Sequence, residues 1–242
     1  MNILITSAAS ALAADLAAAF ASEHNVRLTD VGDVSNPSPF VRCDLGHAAA
    51  TDRLVEDVDV LIHLADCFST YADDATGSAA DSANRLIDYQ TRCTYNLLLA
   101  ASEAGVPRCI YASSLSLFTG CEEDWAVDEQ WRPRPSPEPS ILAQYLGEFT
   151  CREFAREGRI AVTCLRLGKL EHSGDADAQP DDPLWLARAD AVQAFQCALA
   201  APPEPWAVYH IQSAFPEARF STDKARAALG YAPRQRNAGE AS

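Results

Sequence analysis

Lysine is nearly absent: Lys169 and Lys224 are the only two in 242 residues. Acidic side chains outnumber basic ones 34 to 19, for a formal net charge of −15. Such a chain shows no basic patch to meet phosphate backbones, which excludes nucleic-acid recognition. The surplus carboxylates read as solvated faces that favour solubility. No stretch approaches about 18 uninterrupted apolar residues, so no membrane span is expected. The alanine-rich start lacks a positively charged lead, and Asp15 interrupts its apolar run, so a secretory signal is not expected either. None of the eight cysteines forms a C-x-x-C pair, and several sit in apolar runs. That is the pattern of buried, reduced thiols in a cytoplasmic protein. The five histidines fall at no metal-ligand spacing, and no G-x-S-x-G, P-loop or H-E-x-x-H motif occurs. His63 reads as a core residue.

What is present is an alternation of strand and helix patterns. Strands are expected at Ile3–Ile5, Val26–Thr29, a short run near Arg42, Val58–His63, Arg108–Ala112, Ala161–Leu167 and Ala207–Gln212. Helices are expected at Ala11–Ser22, Asp52–Val55, Ser82–Ala104, Ile141–Arg156, Trp185–Ala200 and Ser221–Leu229, with Gly105 and Gly158 as stop signals. Strands separated by helices imply right-handed crossovers and an α/β, Rossmann-like, doubly wound parallel sheet. Residues 1–168 form the Rossmann-type part, and 169–242 a small C-terminal substrate lobe integrated with it. The segment 132–140 carries four prolines and reads as an extended loop, and the acidic segment 172–183 reads as another.

Several stretches together resemble the extended short-chain dehydrogenase/reductase family, its NAD-dependent epimerase/dehydratase group. They are Asp59–Ala65, Asn96–Ala101 followed by Gly105–Arg108 and Ile110–Ser114, Cys164–Gly168, and Thr222–Tyr231. Leu165–Gly168 with Trp185–Leu186 is most similar to uronate dehydrogenases within that group. The resemblance implies an NAD-binding fold and a small-molecule nucleotide or sugar-type ligand. It also implies a homodimer built on the helices at Ser82–Ala104 and Ile141–Arg156, with Leu86, Leu97, Leu98, Leu142 and Leu146 as candidate contacts unless these face the sheet.

By that resemblance, Thr6 to Ala13 stands where the family has T-G-x-x-G-x-x-G, but Ser7, Ser10 and Ala13 replace the glycines. Those glycines serve a tight turn, close approach of the pyrophosphate, and close helix–strand packing. Thr6, Ser7, Ser10, Ala11 and Leu12 are the expected phosphate-side residues, and Leu64 and Ala65 pass the cofactor from the fourth strand. Asp30 and Asp44–Leu45 stand where the family meets the adenosine end, and Asp30 favours NAD over NADP. The alternative is that Ser7 and Ser10 simply cap the first helix.

The family's catalytic set is a serine after the fifth strand and Tyr-x-x-x-Lys on the next helix. Ser114 fits the serine. On the helix, one alignment puts Ser140 at the tyrosine and Gln144 at the lysine; the other makes Tyr145 the tyrosine and Phe149 the lysine position. Neither supplies an ammonium that would lower a phenol's pKa from about 10. Gln90 replaces a usual asparagine. Arg166 and Lys169 are expected to meet an anionic substrate or to form salt bridges, and Cys121 with Glu122, Glu123 and Asp124 to form a solvated acidic loop. No metal site is expected. Three readings follow: a ligand-binding member with weak or absent oxidoreductase activity, an active oxidoreductase or epimerase on a sugar or uronic acid, and a structural homodimer.

Overall fold

Short apolar runs, too brief for helices, become the strands of one parallel sheet, buried on both sides except at the exposed edge strand β3. They are β1 (Asn2–Ile5), β2 (Asn25–Asp30), β3 (Phe40–Arg42), β4 (Val60–His63), β5 (Arg108–Ser114) and β6 (Ala161–Leu167). Two-residue strands β7 (Lys169–Leu170) and β8 (Trp185–Leu186) pair with each other, and β9 (Trp206–Ile211) returns to the main sheet. The order is β3-β2-β1-β4-β5-β6-β9, with every pairing parallel. The computed structural model describes residues 1–35, 38–65, 78–121, 126–171, 182–216 and 218–233. Cys67, Glu122, Glu123, Asp124 and most of the acidic segment, His172 to Asp181, lie outside the described residues.

Helices α1 (Ala11–Phe20), α2 (Ala49–Leu54), α3 (Ala79–Asp88), α4 (Thr94–Glu103), α5 (Pro139–Arg156), α6 (Arg188–Ala200) and α7 (Asp223–Leu229) connect and flank the strands. Alternation along each strand sorts side chains into two cores. Ile3, Ile5, Ile62, Ile110 and Leu165 meet α1 and α6 on one face. Leu4, Leu61, Cys109, Tyr111 and Cys164 meet α4 and α5 on the other. Strand order reverses between β1 and β4, so the crevice at the carboxyl ends of these strands is where such a sheet takes ligands.

Two expected helices are corrected. Ser82–Ala104 is interrupted by a π-helical turn at Tyr89–Cys93, which separates α3 from α4. Such a turn adds one residue to the helical count, an offset of about 100° in the apolar stripe that is easily overlooked in a continuous helical pattern. Trp185 and Leu186 are strand, bonded to β7, and the helix begins only at Arg188. The leucines offered as dimer contacts also divide: Leu86, Leu97 and Leu98 are buried in the second core, while Leu142 and Leu146 are half-buried.

Gly147 fixes the height of α5. A Cβ there would lie 2.8 Å from Gln90 Oε1 and press on the Tyr111 hydroxyl. Only glycine lets the helix descend this far onto β5.

Candidate functional site

At the end of β1 the chain turns through Thr6–Ser10 into α1. Ser7 adopts φ 58°, the left-handed conformation that glycine takes freely and that costs another residue about 1 kcal/mol. The tight turn therefore forms with a serine in the left-handed position. Ser7 is buried, its Oγ 3.5 Å from the Tyr89 hydroxyl delivered by the π turn. Ser10 is the N-cap of α1: its Oγ accepts the Ala13 N–H at 3.1 Å. The N–H groups of Ala11 and Leu12 have no partner among the described residues, leaving an anion-seeking helix end beside the crevice. Ala13 is fully buried against the sheet.

Asp30, at the end of β2, is buried, and its carboxylate accepts N–H groups from Ala9 (2.9 Å) and Val31 (2.7 Å). It ties the first turn to β2. Asp44 is exposed and accepts the Gly46 N–H at 2.9 Å, while the Leu45 carbonyl accepts from Asn96 Nδ2 at 3.1 Å. Leu45 and Ala65 share the left-handed conformation with Ser7, at φ 54° each. The backbone thus bends sharply beyond β3 and β4 as well as β1.

A buried polar chain braces these bends. Thr6 Oγ1 accepts the Leu64 N–H (3.1 Å) and lies 2.8 Å from His63 Nδ1. His63 Nε2 lies 2.9 Å from Thr94 Oγ1, whose hydroxyl donates to the Tyr89 carbonyl at 3.3 Å. One proton direction satisfies every group: Thr6 donates to Nδ1, and Nε2–H donates to Thr94. Burial lowers the His63 pKa to about 3, so the ring is neutral. Gln90 donates to the Ala65 carbonyl and accepts the Tyr111 hydroxyl at 3.0 Å.

From this cradle a cleft of about 250 Å³ runs towards β7. Ser10, Leu12, Leu64 and Ala65 line it on one side, and Ser114, Gln144 and Lys169 on the other. Ser114, at the end of β5, accepts the Ser116 N–H at 3.0 Å. Lys169 pairs with Asp182 at 2.9 Å and remains 64% exposed. Of the four catalytic candidates, this cleft brings together Ser114 and Gln144. Ser140 lies at the start of α5, its hydroxyl donating to the Glu138 carboxylate. Tyr145 lines a different cavity of about 400 Å³, between α5, β6, β9 and the segment 129–133. One residue along a helix is a rotation of about 100°, and that rotation decides which cavity a side chain enters.

Sequence reasoning missed the wall between the two cavities. Ser113, which lines the cleft, donates to Glu148 Oε2 at 2.6 Å. Glu148 takes a bidentate ion pair from Arg166 (Nε 3.0 Å, Nη2 2.6 Å), and both line the second cavity. Burial works against the Arg166 charge, but hydrogen bonds and charge from Glu148 outweigh it and its pKa rises. The available signal was a glutamate between Gly147 and Cys151 on the core-facing side of the helix.

Other chemistry is excluded for specific groups. Burial pushes the Cys109 thiol up to about 12 and those of Cys151 and Cys164 well above their ordinary value, so none is a nucleophile. No group of three His, Cys, Asp or Glu side chains among the described residues could hold a metal ion.

This geometry has counterparts. The profile of the NAD dependent epimerase/dehydratase family matches residues 3–204. Over 157 residues the chain is 28% identical to the NAD-dependent glucose-6-phosphate dehydrogenase of Haloferax volcanii, spanning 60% of this chain and 60% of that protein. A solved structure of a mutated uronate dehydrogenase is 26% identical, with a TM-score of 0.77, covering 97% of this chain and 82% of the other. A short-chain dehydrogenase/reductase superfamily protein from Agrobacterium tumefaciens, crystallised with bound NAD, shares the fold at 18% identity and a TM-score of 0.79, over 98% and 93% of the two chains. The family profile spans most of the chain, and the strand–turn–helix it begins with opens on the crevice of the parallel sheet: the chain belongs to the NAD-dependent epimerase/dehydratase family.

Proposed function

We propose that this chain binds NAD along the carboxyl ends of β1, β2 and β4 and a sugar-type ligand in the adjoining cleft, with weak or absent oxidoreductase turnover. The residues of the first turn fit a dinucleotide in part. The unpartnered N–H groups of Ala11 and Leu12 suit a diphosphate, and the Asp30 carboxylate disfavours a 2′-phosphate, which selects NAD over NADP. The Ser10 hydroxymethyl group narrows the same approach. NAD, when bound, accepts or returns a hydride.

The single observation carrying the reading is the placement of Gln144 in the cleft and Tyr145 outside it. The Ser114 hydroxyl and Gln144 amide hydrogen-bond and orient a substrate oxygen, but neither moves a proton near neutral pH. Loss of a positioned acid/base lowers rate by about 10²–10⁴. Calorimetric titration with NAD, alongside an assay for NADH formation from uronic acids and sugar phosphates, tests this. Binding with negligible turnover supports it, and robust hydride transfer overturns it.

Lys169 favours a second reading, an active oxidoreductase or epimerase in which the cleft's cation comes from β7. Under it, Lys169→Ala abolishes turnover. Residues 169–242 act here as the substrate lobe, with Lys169 and Leu170 forming one wall of the cleft. Tyr95, 49% exposed on α4, supports a homodimer through the flanking helices, which sedimentation would detect. The seven free thiols among the described residues suit a reducing, cytoplasmic setting, and no helix among the described residues is long and apolar enough to cross a membrane.

A further inference from the structure

The second cavity belongs to none of this chemistry. It lies across α5 from the cleft, and its volume of about 400 Å³ falls within the range of small-molecule sites. Ring-bearing side chains line it from three elements: Trp131 from the loop, Tyr145 and Phe149 from α5, and Trp206 from β9. Three arginines, Arg132, Arg152 and Arg166, converge on it against two glutamates. In a chain of net charge −15, a local excess of cations is the exception.

Both glutamates are already engaged. Glu148 is held by Arg166 and Ser113, and Glu129 accepts the His210 backbone N–H at 2.8 Å. Arg132 is exposed and has no ion-pair partner among the described residues. The Arg152 guanidinium lies 4.8 Å from the Phe149 ring centre, and its side chain, 51% exposed, donates from Nε (3.4 Å) and Nη2 (3.3 Å) to Glu153 Oε1, which leaves Nη1 unpartnered among the described residues. Its Nη1 donors remain available to a carboxylate or phosphate at the cavity mouth. The floor cannot supply that charge, because Arg166 is committed to its buried partner.

We infer that this cavity is a binding site for a flat organic anion: the ring lies among Trp131, Tyr145 and Trp206, and the anionic group meets Arg132 and Arg152 at the mouth. The inference does not depend on what the cleft binds. It does place a second ligand on the far side of one ion pair from the first, since Ser113 lines the cleft and Glu148 and Arg166 line the cavity.

Benzoate is a minimal probe, and two of the chain's four tryptophans line the site, so intrinsic fluorescence of the full chain reports occupancy. Benzoate is expected to quench fluorescence saturably, with benzyl alcohol and acetate at least tenfold weaker. Arg132→Ala with Arg152→Ala, both at the surface, should weaken benzoate at least about tenfold, the loss expected when charge-assisted hydrogen bonds go. Arg132→Lys with Arg152→Lys should restore part of it, and Arg226→Ala should change nothing. Circular dichroism verifies that each variant is folded. Equal titration by benzyl alcohol, which would mean an apolar patch only, or an unchanged affinity in the double alanine variant, overturns the inference. So does a dimer in sedimentation whose formation abolishes the titration, because a second copy would then be the occupant.

Discussion

The first turn and helix α5 each carry side chains other than those the family resemblance leads one to expect, and under the proposed function the two departures differ in kind. At the turn, Ser7 holds a left-handed conformation that glycine takes freely, and Thr6, Leu64 and Asp30 lock the bends around it. Along α5, Gly147 and Tyr111 set the helix in place, and the cleft receives the Gln144 amide, which the proposed function reads as standing in the place of an ammonium. Backbone geometry is over-determined by many hydrogen bonds and tolerates a substitution costing about 1 kcal/mol. Proton transfer depends on one functional group and does not tolerate its loss.

That contrast can be broken most directly by restoring the helix. Ser140→Tyr with Gln144→Lys places a phenol and an ammonium one helical turn apart on the same face. Turnover in an NADH assay with uronate is expected to rise by about 10²–10⁴, and an unchanged rate would mean that the turn, not the helix, limits the chain.

A smaller effect separates the two regions by pH. His63 braces the turn and His210 lies behind the second cavity, and burial first of all lowers each pKa to about 3 from 6.5. The unfolded chain therefore binds protons that the folded one refuses. Stability from both rings is complete above pH 6.5 and falls as pH drops towards 3, by about 1.4 kcal/mol per pH unit per histidine. Urea unfolding between these limits should show that slope, and His63→Asn should remove roughly half of it. Smallest is Ser7→Gly, which relieves the left-handed strain and should raise stability by up to about 1 kcal/mol in the same assay. It should also tighten NAD in calorimetry.

The fold was legible because apolar runs of strand length alternate with helical ones, and the expected strand at Ala161–Leu167 matches β6 to the residue. Trp185 and Leu186 were not legible as strand, since what decides them is a partner, Lys169–Leu170, beyond an intervening acidic segment. At the site, Asp30 and Ser114 lie at the strand ends where the pattern put them. The choice between Gln144 and Tyr145 needed the rotation of α5, which the height of Gly147 over Tyr111 sets and no local pattern records. Lys169 enters the cleft from the two-residue strand β7 just past the end of β6, and the second cavity draws on segments scattered from Glu129 to Val208.

The cysteines carry a consequence for handling the molecule. Six of the seven described thiols are buried, and Cys109, Cys151 and Cys164 lie in one core between β5, α5 and β6. While folded, they are shielded from oxidants. Once heat opens that core, they become exposed together, and air oxidation will cross-link chains faster than they refold. Melting should accordingly be reversible in excess reductant and scan-rate dependent without it.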